Sequence, residues 1–297
     1  MFAGFRPDPL LPTIIQSLRD PEYRPCYLAC LSELCKIQQY ERECFGATDF
    51  EASRVLHHDR ITKCCLVLFN GLGELTGNLD PLSKAAFEMG HNVIVPGLPH
   101  HYSGCRKGDI TVRDFIRRAN EIVELARGLG EELILCGASA GSLMALAGAT
   151  QSSGTPTRLI LVAPATKFRD TPEWQVDIMI KIADTFPDSD EILPGKRAAG
   201  GSRKALASMC KLREEVRFLL LNSDLSHIKS LDVLHDPKDQ ALDPKSPKIA
   251  IEWTGLDFAK SYEIEFPLHN KEPVNDWSEE YDLTFTQLIE FFKSIKC

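Results

Sequence analysis

The residues Gly137, Ala138, Ser139, Ala140 and Gly141 set a serine between two glycines, directly after the apolar run ELILC and directly before the small-residue run SLMALAG. A serine hydroxyl is a weak nucleophile until the chain lifts it clear of its surroundings and a base takes its proton. A strand that turns sharply into a helix does the lifting, and only small flanking residues let the two backbones come that close. The chemistry implied is attack of the Ser139 hydroxyl on a carbonyl carbon. The same turn sets Ala140 N–H at the positive end of the helix, where it would stabilise a tetrahedral oxyanion. Helix capping is the plain alternative for Ser139, and Ser142, inside the helix, reads as structural.

A second oxyanion donor should come from the loop after the first core strand, LVLFNGLGELTG. Gly71 and Gly73 there allow backbone to approach a substrate, with Leu72 N–H as the donor and Asn70 beside it. The loop lacks the lysine and spacing of a phosphate-binding Walker loop.

For a serine on such a turn, the acid and then the base follow later in the chain. The segment SLDVLHDPKDQALDP ends a strand in a carboxylate-rich turn, in which Asp239 is the favoured acid and Asp236 its competitor. Asp243, before Pro244, reads as a turn or cap residue. His269 follows YEIEFPL, where it would face both Ser139 and the acid. His91 and His227 read as structural, His235 as shaping the acid loop, and His100 and His101 as lying in a loop open to substrate.

These side chains need a frame. From Lys63 onward, short apolar runs alternate with amphipathic ones: CCLVLF, a helix around 77–89, HNVIV, a helix around 111–128, ELILC, a helix over 140–149 and RLILVA. SLDVLH, a helix, YEIEF and a terminal helix near 280–295 follow. The pattern predicts an α/β fold with a mainly parallel sheet and helices on both faces. Between about 165 and 202 the alternation breaks into a helix around 172–186 and the polar DSDEILPGKRAAGGS, which reads as a small cap. Trp174, Ile178 and Ile182 share one face of that helix, either covering a substrate or packing on the core. Residues 1–60 form a helical prefix whose stripe of Tyr27, Leu31, Leu34, Ile37 and cysteines would pack on the catalytic domain, 61–297.

The net charge of −8, with no basic run interleaved with aromatics, gives nucleic acid no electrostatic footing. No stretch approaches a membrane span and the N-terminus lacks a signal pattern, so a cytoplasmic location is expected. The ten cysteines are expected to be mostly buried thiols, and their spacing suits neither a disulfide framework nor a metal site.

With these residues in place, the chain resembles the monoacylglycerol lipase and lysophospholipase group of the serine α/β-hydrolases. NGLGELTGNLDPLSKAAFEMGHNVIVPGLPHHYSG is similar to that group's HGxGEHxGRY segment with its following strand and loop, GASAG to its nucleophile motif, and HDPKDQALD to its HGxxDxxV acid loop. The resemblance spans about 63–296. It departs at Asn70 and Leu75, which stand for histidines, at Pro99 and His100, which replace an Arg-Gly pair, and at His235 and Asp236 in the acid loop. It implies Ser139, Asp239 and His269 as nucleophile, acid and base, and Leu72 with Ala140 as the oxyanion hole. A small-molecule acyl ester or thioester is the expected substrate, with no cofactor and no metal. A thioesterase or acyltransferase using the same serine, or a ligand-binding protein that kept the fold, are the other readings.

Overall fold

The computed structural model describes residues 25–72, 74–98, 102, 111–152, 154–185, 203–264 and 277–294. Helix α1 (Tyr27–Phe45) comes first and stops where Gly46 takes a left-handed conformation, φ 63°. Strands β1 (Arg54–Leu56) and β2 (Thr62–Phe69) lead to a short 3-10 turn and helix α2 (Asp80–Glu88). Strand β3 (Asn92–Val95), helix α3 (Val112–Arg127), strand β4 (Gly130–Ala138), helix α4 (Ala140–Ala149) and strand β5 (Thr157–Val162) continue the alternation. Helices α5 (Glu173–Thr185) and α6 (Arg203–Leu221) precede strand β6 (Ile228–His235), helix α7 (Ser246–Thr254), strand β7 (Lys260–Glu263) and helix α8 (Trp277–Ser294).

The strands form one sheet in the order β1-β3-β2-β4-β5-β6-β7. All neighbouring pairs are parallel except β1 with β3. Alternate residues of each central strand enter opposite cores. Val67, Phe69, Leu133, Leu135, Leu159 and Leu161 join one cluster with α3, α4 and α6. Leu66, Leu68, Ile134, Cys136, Ile160 and Val162 join the other, with α2 and α8. Burial on both faces is why these strands read as continuous apolar runs.

Several expectations are refined. The prefix helix is present, with Cys30 and Leu34 buried and Tyr27, Leu31 and Ile37 packed beside them, but residues 54–56 add an edge strand that helical periodicity did not suggest. Of the eight described cysteines, all free thiols, Cys30, Cys64, Cys65, Cys136 and Cys210 are buried; Cys26, Cys35 and Cys44 on or beside α1 are exposed, contrary to expectation for that helix. Only one turn-to-turn face of α1 meets the core, and these three side chains lie off it. On α5, Trp174 and Ile178 face solvent while Val176 is buried, so that described part of the stripe does not pack on the core. No described helix is long and apolar enough to cross a membrane.

The prefix is tied to the domain through a buried carboxylate. Glu41 of α1 accepts hydrogen bonds from Ser53 N–H (2.6 Å), Ser53 Oγ (2.7 Å) and Tyr102 OH (2.8 Å), and pairs with Arg118 of α3 at 3.3 Å. A buried charge persists only when so fully partnered.

Candidate active site

The chain crosses from β4 to α4 through a single strained residue. Ser139 has φ 52° and ψ −117°, a conformation that residues with a Cβ avoid and that costs on the order of 1–3 kcal/mol. The surroundings hold it there. Ser139 N–H donates to Val162 O at 2.9 Å, and Ser139 O accepts from Ser142 N–H (3.1 Å) and Ala165 N–H (3.3 Å). Ser142 is buried and its hydroxyl donates to Gly137 O at 2.6 Å, so it braces the turn, as its helix position suggested.

The flanking glycines are required by space. A Cβ on Gly137 would lie 2.2 Å from Gly141 O, and one on Gly141 would lie 2.2 Å from Phe69 O. Both are far inside van der Waals contact with backbone that cannot yield. The second contact also shows that the end of β2 abuts the start of α4, which brings the Asn70–Glu74 loop beside Ser139.

That loop is closed by Glu74, a residue that sequence reasoning passed over. Gly71 N–H donates to Glu74 Oε2 (2.9 Å), Glu74 N–H to Gly71 O (3.2 Å), and the Asn70 side-chain amide to Glu74 O. Gly71 N–H is therefore committed within the loop. Asn70 is itself buried, and its Oδ1 has no hydrogen-bond partner among the described residues. The glutamate of NGLGELTG, shared with the HGxGEHxGRY segment it resembles, was the available signal for Glu74.

The acid loop leaves the sheet two strands away. Asp236 and Asp239 are both buried just past the end of β6. Asp236 Oδ1 accepts from Lys238 N–H (2.7 Å) and its carbonyl from Asp239 N–H (3.0 Å), building the first bend. Asp239 Oδ1 accepts from Ala241 N–H (2.8 Å) and Leu242 N–H (2.9 Å), which fixes the carboxyl plane. Asp243 is a turn residue: Lys245 N–H and the Lys167 ammonium hold its carboxyl below the usual range. His235 ends β6 with its carbonyl accepting from Ile264 N–H (2.9 Å) and its Nδ1 buried. Beneath Ser139, burial pushes the Cys136 thiol up to about 12, so it supplies no competing thiolate.

Ser139, the Asn70–Glu74 loop and the acid loop thus leave the carboxyl ends of β4, β2 and β6, all parallel and therefore at one edge of the sheet. Strand order reverses at β2, which lies between β3 and β4, and such edges are where open parallel sheets bind ligands. Trp174, on α5, is largely exposed, and α5 is linked to α6 by the Glu173–Arg213 ion pair. His269, Gly73 and His100 lie outside the described residues.

No protein-family model and no curated protein sequence matches the chain. Solved structures do. A metagenome-derived lipolytic enzyme, from work on LipS and LipT, superposes with a TM-score of 0.62 at 13% identity, over 84% of this chain and all of that one. The monoacylglycerol lipase of Paleococcus ferrophilus gives 0.60 at 18% identity, over 82% of this chain and 98% of its own. An enol-lactonase from Burkholderia xenovorans gives 0.52 at 15% identity, over 82% and 96%. The chain has the α/β-hydrolase fold. Ser139 is the strained residue at this chain's β4–α4 junction, at the carboxyl ends of the parallel strands.

Proposed function

We propose that this α/β-hydrolase is a serine esterase that cleaves a carboxylic ester, lipid-like or of a small acyl group, through Ser139, His269 and Asp239. The backbone of Ser139 carries the reading. A regular strand-to-helix junction needs no residue at φ 52°, and three backbone hydrogen bonds hold this one there at the carboxyl ends of the strands, which supports a site.

In the proposed reaction His269 takes the Ser139 proton as Oγ bonds to the carbonyl carbon, and Asp239 orients the ring and stabilises the imidazolium. Leu72 and Ala140 N–H groups hold the oxyanion, an assignment supported by the capture of Gly71 N–H by Glu74. Collapse expels the alcohol, which leaves with the proton from His269. Water then adds to the acyl-enzyme by the same path and releases the acid, so no cofactor is needed. Residues 61–297 form the catalytic domain in this reading, with a cap at about 165–202 and the prefix 1–60 packed on it. Asn70, Gly71, Gly73, His100 and Trp174 are the substrate-facing candidates. Lipolytic and lactone-cleaving neighbours support an ester as the substrate class, and free thiols at all eight described cysteines suit a reducing cytoplasm.

Labelling the full chain with a fluorophosphonate probe is expected to leave a mass adduct on Ser139, and a chain-length series of p-nitrophenyl esters is expected to turn over. No adduct and no turnover would mean a ligand-binding protein. Preference for a thioester, or transfer to an alcohol in place of water, would move the assignment to a thioesterase or an acyltransferase.

A further inference from the structure

Between β5 and α5 the chain does not pass directly into the cap. Residues 164–170 run back along the acid loop and are joined to it almost residue by residue. Ala165 N–H donates to Ser139 O at 3.3 Å, so the segment begins on the nucleophile turn. Thr166 and Ser246, both buried, follow: Thr166 Oγ1 donates to Ser246 O at 2.7 Å, Ser246 Oγ donates to Pro164 O, and Lys167 N–H donates to Ser246 Oγ at 3.1 Å. Asp243 N–H donates to Lys167 O at 3.0 Å, and Phe168 pairs with Leu242 in an antiparallel bridge.

Arg169 completes the seam. Its N–H donates to Ala241 O at 2.9 Å, its Nε to Leu242 O at 3.3 Å and its Nη2 to Pro237 O at 3.2 Å. Pro237 and Leu242 stand on either side of Asp239, so a single planar guanidinium spans the bend that carries that carboxylate. Two residues in the left-handed region, Ala163 at φ 43° and Asp170 at φ 53°, bound the segment. Strain at both ends persists where the intervening contacts over-determine the path.

We propose that residues 164–170 form a strap that sets the acid loop against the nucleophile turn, with Arg169 as its positioning residue. The strap rests on the esterase reading given above for its catalytic consequence, while its structural part stands without it. Arg169 touches no reacting atom in this scheme. It acts by keeping Asp239 where the imidazolium needs it, and a misplacement of about 1 Å in such a constellation costs on the order of 100-fold in rate.

The test compares Arg169→Ala, Arg169→Lys and Ser246→Ala in the full chain. With p-nitrophenyl butyrate as the probe, Arg169→Ala is expected to lower kcat by roughly 10- to 100-fold with KM within about two-fold of the parent. The acid limb of its kcat/KM profile should move to lower pH, because a histidine that loses its carboxylate partner protonates less readily. Arg169→Lys, which keeps the charge and donors but not the planar fork, should recover part of kcat. A lower melting temperature with kcat and pH profile unchanged would make Arg169 merely structural and overturn the proposal. If Arg169→Ala does not fold, Ser246→Ala loosens the same seam from α7 and is read the same way. Hydrogen exchange separates the two layers of the argument: Arg169→Ala should speed exchange at Ala241 and Leu242 N–H while α3 is unaffected. Unchanged exchange overturns the strap. Inactivity of the parent enzyme with faster exchange in the variant would instead overturn the esterase reading alone.

Discussion

Helix α4 has a serine at each end, and the two differ in what surrounds them. Ser152, three residues past the helix, is fully buried, and its Oγ lies 2.9 Å from His227 Nε2. It looks like a nucleophile with its base, yet the arrangement cannot work as one. His227 Nε2 also lies 3.0 Å from Ala149 O, an atom that only accepts, so that nitrogen carries the proton and has no lone pair to take another. Burial lowers the ring's pKa as well, which keeps it neutral. Ser139, at the other end, is half-buried on a strained backbone beside two loops rich in donors and carboxylates. A hydrogen bond to histidine is thus by itself a poor sign of catalysis.

Removing each hydroxyl separates the two serines. Ser139→Ala is expected to lower kcat by about a million-fold with the fold intact, while Ser152→Ala should leave kcat within about two-fold and cost roughly 1–3 kcal/mol of stability. Ester turnover and denaturant melts on both variants check this, and the opposite pattern would exchange the roles of the two ends. Next in size is the acid. Asp239→Asn should reduce kcat on the order of 10⁴-fold, and Asp236→Asn, which disturbs only the first bend, about ten-fold. A larger loss in Asp236→Asn would transfer the acid role to that residue. Smaller again is the loop clamp: Glu74→Ala releases Gly71 N–H and should cost on the order of ten-fold in kcat by letting the Leu72 donor drift.

The same contrast explains what was legible in the sequence. The central strands were readable because burial on both faces leaves uninterrupted runs such as CCLVLF, and the turn at Ser139 because glycines 137 and 141 have a steric reason to be there. Strand β1 has only three residues, too few for a period to show. Helix α6 was passed over beside the polar insert, although Met209, Leu212, Val216 and Leu220 bury one face of it; its buried Arg213 interrupts the apolar stripe and is tolerated because Glu173 and Glu214 pair with it. The stripe Trp174 and Ile178 was readable as a helix face, but periodicity does not say which way a face points. Arg169 left no motif at all, since it acts on backbone atoms brought close only by the fold.

His227 lies at the end of the sheet away from Ser139, just before β6. His227 has a pKa below its ordinary 6.5, chiefly because it is buried, so the folded protein binds its proton less readily than the unfolded chain does. The unfolded state therefore holds more protons in the window from about 6.5 down to the lowered value, and stability rises with pH there. The contribution is fully present above 6.5 and is lost as acid protonates the ring, which would force Nδ1 and Nε2 both to donate. His91, lowered mainly by burial too, adds in the same direction. Melting temperature against pH should accordingly fall below 6.5, and His227→Gln, which can still donate to Ala149 O, should flatten that slope while leaving kcat at pH 7 within about two-fold. A slope unchanged in His227→Gln would assign the acid sensitivity to other groups, and a loss of kcat would mean that the two ends of α4 are coupled.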